Sequence, residues 1–349
     1  MSEEFKPVGG FFQDAPEEKE KNWSFLGAVD DWPTINTIGD WIKFRSKPEA
    51  QDSARNTRFD CVSISAAGQV EKRLNQMMEE DPAVRPVLEM LGLLGADGKA
   101  DVSERYPAKG SGTIPGRGNS QHNVYEFFRK NGIVGEKMWP SNLEMSDEEF
   151  YSPLTPEILA LGKKFLEYFT FEYKDVGESN DNLREALKRS PLALVVGGAY
   201  LGDEQGALLY RNNGTPSYNH QLQGVRQDRD VEIFSEKIPV IHKIEDSYEP
   251  FDKDYAGTYP FAFAKIIRLT LKKKVPMLYK KIGQPAICFK HWSEDALIAF
   301  ADGSIAGGDL FKSLFGVVNY SDLPRQDVEE WPFPIKYNLT TTGQLTNLE

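Results

Sequence analysis

Apolar residues in this chain change period partway along, which restricts it to folds that segregate helix from sheet. From Cys61 to Glu80, Ile64, Ala67, Val70, Leu74, Met77 and Met78 recur at spacings of three and four, the period of a buried helix face, until Asp81-Pro82 ends the run. The same reading gives helices over about 83–94, over Gln121 to Asn131 before Gly132, and from Thr155-Pro156-Glu157 onward with Ile158, Leu161, Phe165 and Phe169. A short fifth helix runs from Asn182 to Arg189. After that the texture is of strands: Leu192 to Gly197, a run near Leu208, His220 to Val225, Val231 to Phe234 and Val240 to Ile244. Helices first and strands second describe an α+β protein with a helical layer packed on an antiparallel sheet or half-barrel.

Three segments are expected. Residues 1–45 form an arm and a Trp-rich lead-in, in which Trp23, Trp32 and Trp41 pin irregular chain to the domain by burying large rings. Residues 46–275 form the main domain. From about Pro276 the pattern resets to short runs punctuated by Gly, Asp and Pro, including Leu297 to Phe300, Phe311 to Tyr320 and Trp331 to Ile335, and residues 276–349 read as a small β-rich accessory module. This module lacks a catalytic cluster and is a candidate for docking on a larger protein assembly.

The formal net charge of −12 disfavours a nucleic-acid partner, because affinity for phosphates comes from clustered Lys and Arg and the one basic run, Lys272 to Lys274, is short. Two cysteines, Cys61 and Cys288, require no disulfide. No apolar run reaches the roughly 18 residues needed to span a bilayer, and Met1-Ser2-Glu3-Glu4-Phe5-Lys6 has no secretory pattern. A cytoplasmic or virion-associated location is expected, with no membrane partner. Histidines at 122, 220, 242 and 291 offer no zinc spacing, and the loop 110–118 lacks the Gly-Lys-Ser/Thr ending of a phosphate-binding loop. Neither a metal nor another cofactor is expected. His122 reads as a surface residue, and His242 and His291 as structural ones.

Cys61 stands at a helix start, where backbone N–H groups and the helix dipole favour a thiolate over a thiol. A nucleophilic thiolate needs an imidazole to exchange the proton and a polar group to orient that imidazole. His220, at the start of a strand, and Asp246, in the turn-like Glu245-Asp246-Ser247-Tyr248, can supply both.

In chain order, Gln51, Cys61 in Cys-Val-Ser-Ile-Ser-Ala, Asn131 to Glu136 followed by Trp139-Pro140, His220, and Asp246-Ser247-Tyr248 resemble the papain-like cysteine peptidases. In that family a Cys-Trp-Ala-Phe-Ser helix start, a Gly-Ile-x-x-Glu-x-x-Tyr-Pro segment, a His-Ala strand and an Asn-Ser-Trp turn occur in the same order. The disulfide-free members of phage and bacterial genomes are the nearest in flavour. The resemblance covers about residues 32–275. It implies that Cys61 attacks a peptide carbonyl, that His220 protonates the leaving amine, that Asp246 orients the ring, and that Gln51 with the Cys61 N–H binds the oxyanion. Tyr248 takes the place of the family's Trp, which shields the His-to-partner hydrogen bond. Gly116 and Gly118 lie in a loop resembling the Gly-rich segment along which substrate backbone pairs. The chain departs from the family in having Asp rather than Asn as orienter, Val62 for Trp, and Gln221 after the His. The implied partner is a polypeptide substrate. Two other readings stay open: a catalytically degenerate structural or virion-associated binding protein, and a Cys/His amidase acting on peptidoglycan.

Overall fold

In the computed structural model of the 349-residue chain, the described residues are 11, 32–51, 58–142, 144–196, 200–201, 209–212, 220–233 and 235–272, with the short strands 278–279, 287–288, 336–339 and 345–348. The chain divides into two compact units, residues 1–81 with 88–271, and residues 82–87 with 272–349.

Seven helices are described: α1 (Cys61–Glu80), α2 (Val84–Met90), α3 (Arg105–Gly110), α4 (Gln121–Asn131), α5 (Asp147–Phe150), α6 (Pro156–Tyr168) and α7 (Asn180–Leu187). The sequence pattern reads α1 and α4 to the residue. It overextends α2, places α7 two residues late and misses α3 and α5. Where side chains cap the helices, the cause is local: Ser120, Ser146, Thr155 and Ser179 each accept a hydrogen bond from the N–H three residues on. Every residue of α1 from Cys61 to Met77 is buried. Some of its buried polar groups are paired, Ser65 donating to the Leu222 carbonyl and Gln69 to the carbonyls of Pro191 and Lys265, whereas Ser63 Oγ, Arg73 Nε and Nη1 and Gln76 Oε1 have no hydrogen-bond partner among the described residues.

The strands of the first unit are β1 (Phe169–Val176), β2 (Leu192–Val196), β3 (Tyr200–Leu201), β4 (Leu209–Asn212), β5 (His220–Ile233), β6 (Glu236–Glu245), β7 (Asp252–Ala256) and β8 (Ala262–Leu271). They form one sheet in the order β1-β8-β2-β5-β6-β7-β4-β3, antiparallel except for the parallel pair β4 and β7. Phe169, expected on the α6 face, instead opens β1; its ring stacks on Phe165 with centroids 4.7 Å apart, so the i,i+4 spacing persists across a helix end. The runs expected at 220–225 and 231–234 are one strand, β5, paired with β6 through a register shift between Gly224 and Arg226. This architecture is the α+β arrangement expected, with helices against a mostly antiparallel sheet.

Alternation along β5 separates two packing environments. Leu222 joins a core of Trp41, Phe44, Leu183, Leu187, Leu192, Leu194, Ile244, Tyr255 and Ile266, while its neighbour Gln223 meets Lys72 of α1. The lead-in is built into this core. Trp32 and Trp41 are buried, and the Trp41 indole N–H donates to the Leu187 carbonyl at 2.6 Å. Trp23 lies outside the described residues. No described helix is long and apolar enough to cross a membrane.

In the second unit the described elements are the antiparallel pairs β9 (Leu278–Tyr279) with β10 (Ile287–Cys288) and β11 (Lys336–Leu339) with β12 (Leu345–Leu348). The strands expected over 297–300, 311–320 and 331–335, and His291, lie outside the described residues.

Candidate active site

Cys61 is the first residue of α1. Asp60 caps through its main chain alone, its carbonyl accepting from Ser63 at 2.8 Å and Ile64 at 3.0 Å, while its side chain makes no cap hydrogen bond. The N–H groups of Cys61 and Val62 therefore belong to the unsatisfied first turn of the helix. Phe59, two residues before Cys61, has φ +56°, a left-handed conformation unusual for a large side chain.

His220 is the first residue of β5, and Asp246 follows the end of β6. Nε2 of His220 lies 2.7 Å from Oδ1 of Asp246, both groups buried. Nδ1 of His220 is buried without a hydrogen-bond partner among the described residues, while Cys61 lies close enough for its charge to act on the ring. With Nε2 held by Asp246, Nδ1 is the ring nitrogen left open. Burial alone would lower the pKa of the ring. The Asp246 carboxylate and Cys61 outweigh it and raise the ring to about 10, so the imidazolium is the form held at neutral pH. Burial likewise pushes the Asp246 carboxyl up, but His220 and then Lys253 outweigh it and hold it at about 2.

Lys253, on β7, is the member of this group that the sequence reading missed. Its Nζ lies 2.6 Å from Oδ2 of Asp246, and it is only 6% exposed. The segment Asp252-Lys253-Asp254 has neither apolar alternation nor a motif to mark it, so only the pairing of β6 with β7 brings it in.

Gln51 and Tyr248 join the same loop. Gln51 is buried; its N–H donates to the Ser247 carbonyl at 3.1 Å, its Oε1 accepts from the Ser247 hydroxyl at 3.0 Å, and its Nε2 donates to the Tyr248 hydroxyl at 2.6 Å. One amide hydrogen of Gln51 remains beyond these bonds. The Tyr248 ring lies against His220, with centroids 4.9 Å apart, and its N–H donates to Asp246 Oδ1 at 3.2 Å. His220, Asp246, Gln51 and Tyr248 are thus linked into one group, with Cys61 near enough to act on the His220 ring by charge.

The glycine loop behaves otherwise. Gly118 engages both its N–H and its carbonyl with Ile114, which removes the N–H that pairing with a substrate strand would need. Gly116 occupies the turn at φ +79°, with open space where a Cβ would stand. Asn119, just beyond this loop, is buried and forms an isolated parallel bridge with Phe11. His242 has a structural setting: it is buried, its Nε2 lies 2.9 Å from Oδ1 of Asn180, and burial lowers its pKa to about 4.

No protein-family model and no curated protein sequence matches the chain. Solved structures do. Xylellain, a cysteine protease from Xylella fastidiosa, is 12% identical, with a TM-score of 0.51 over 75% of this chain and 96% of its own. The bromelain protease from Ananas comosus is 16% identical, with a TM-score of 0.43 over 67% of this chain and 98% of its own.

Proposed function

We propose that this chain, which has the papain-like fold, is a cysteine peptidase acting through Cys61, His220 and Asp246. The observation that carries the reading is an imidazole whose Nε2 is fixed by Asp246 at 2.7 Å and whose Nδ1 is left for a cysteine at a helix N-terminus. In this mechanism Cys61 Sγ bonds to the peptide carbonyl carbon, and the tetrahedral oxyanion is met by the Cys61 N–H and the remaining Gln51 amide hydrogen. The C–N bond breaks as Nδ1–H of His220 protonates the leaving amine, giving an acyl-enzyme thioester. Water, deprotonated at Nδ1, then displaces the sulfur. Tyr248, packed on the ring, keeps bulk water from the His220–Asp246 bond. The substrate in this reading is a polypeptide. Docking of the enzyme on a larger assembly through residues 276–349 belongs to the same reading.

Cys61→Ala is expected to reduce peptide hydrolysis to background and abolish labelling by a peptidyl epoxysuccinate, with an unchanged circular-dichroism melt. Equal labelling of wild type and variant defeats the proposal. A second reading, a papain-like scaffold that no longer turns over, is favoured by one observation: Cys61 is 0% exposed. It predicts a protein that folds normally yet takes up no label at any reagent concentration.

A further inference from the structure

We infer that Lys253 is a positioning residue that neutralises Asp246, so that an aspartate serves in place of a neutral orienting group. The inference rests on the thiol–imidazole reading of Cys61 and His220 and adds the charge balance of that site.

Asp246 uses its two oxygens differently. Oδ1 takes His220 Nε2 at 2.7 Å and the Tyr248 N–H at 3.2 Å, while Oδ2 takes Lys253 Nζ at 2.6 Å. A carboxylate gripped on both oxygens cannot rotate, and the ring it holds is fixed with it. The charge count matters as much. A thiolate, an imidazolium and a bare carboxylate sum to one uncompensated negative charge in a buried site, which opposes thiolate formation and makes the imidazolium a reluctant proton donor. The Lys253 ammonium brings the sum over these four groups to zero; Asp60, buried beside Cys61, and the neighbouring Arg58 and Tyr151 stay the same in wild type and in variants at 246 and 253.

The other groups facing this chain do not perform that task. The Tyr210 ring, on β4, lies 5.8 Å from Lys253 Nζ, and Tyr248 packs on His220. Of the flanking carboxylates, Glu245 pairs with Lys72 and Arg45, and Asp252 with Arg45. Arg45 and Lys72 thus have carboxylate partners of their own, and among the described residues Lys253 is the cation bonded to Asp246 besides the His220 imidazolium.

The test is the pH dependence of Cys61 alkylation by iodoacetamide, at concentrations where rate is linear in reagent. It needs no substrate and so stands apart from peptidase activity. Lys253→Met is expected to move the rise in rate with pH upward by about 1 pH unit, because the bare carboxylate opposes the thiolate. Asp246→Asn moves it downward, because the lysine charge is then uncompensated. The double variant, neutral at both positions, returns to within a few tenths of a unit of wild type and also guards against a misfolded single variant. A double variant displaced as far as Lys253→Met, or an unmoved profile in all three, overturns the inference. Shifted profiles without any peptide cleavage would sustain it while defeating the peptidase.

Discussion

At the scale of single residues, the site groups legible in the sequence were those whose chemistry is tied to a local element. Cys61 announces itself by standing at the start of a periodic helix, His220 by opening a strand, and Asp246 by sitting in a turn two residues before an aromatic ring. Gln51 shows how far such reasoning reaches. Its amide is bonded to Ser247 and Tyr248, and one amide hydrogen remains, which the peptidase reading assigns to the oxyanion. Gln51→Ala is therefore expected to lower kcat by about 100-fold with little change in KM, a loss confined to the transition state; steady-state kinetics on a peptide substrate check it. A matched fall in affinity with unchanged kcat would assign Gln51 to substrate binding instead. Lys253 was illegible because nothing near residue 253 marks it: it acquires its role only when β7 returns beside β6.

Among elements, the hairpin of β6 and β7 is the one on which the site depends, since its turn carries Asp246, Ser247 and Tyr248. Arg45, from the lead-in, reaches both of its legs, with Nε 2.9 Å from Glu245 Oε2 and a further bond to Asp252, the residue paired with Glu245 across the hairpin. Glu245 is held on its other oxygen by the buried Lys72 at 2.7 Å. Arg45→Ala is expected to destabilise the unit by about 2 kcal/mol, less than loss of a fully buried partner because Asp252 is exposed and Lys72 remains. Urea denaturation checks this, and a change under about 0.5 kcal/mol would leave the clamp without energetic weight. Helices were more legible than strands for a physical reason. A period of three to four survives burial, as in α1 and α4, whereas β5 runs on through Arg226 to Asp230, a polar stretch without apolar alternation, β6 opens on exposed Glu236 and Lys237 with Pro239 inside its alternation, and β7 has hardly any.

For the whole molecule, acidity is the variable to which the fold is tuned. Glu71 and Glu104 are buried, and Glu49, Asp101 and Glu136 partly so; burial raises the pKa of all five, and their mutual repulsion adds to it, bringing Glu136 to about 7. A carboxyl whose folded pKa is raised contributes stability that is fully present below its unfolded value and is lost as pH rises through the folded one. His220 acts in the same direction, between about 6.5 and 10, whereas His242, lowered to about 4, costs stability as pH falls below 6.5. Glu71, Glu104 and Glu136, with His220, against His242 predict a higher melting temperature near pH 5.5 than near pH 8.5, and Glu136→Gln narrows the gap; a melt that rises toward alkali contradicts the balance. The enclosure of Cys61, finally, bears on time rather than on affinity. A sulfur with no surface reacts only during excursions that uncover it, so inactivation by an electrophile accelerates with dose and then levels at a ceiling set by the protein's own breathing.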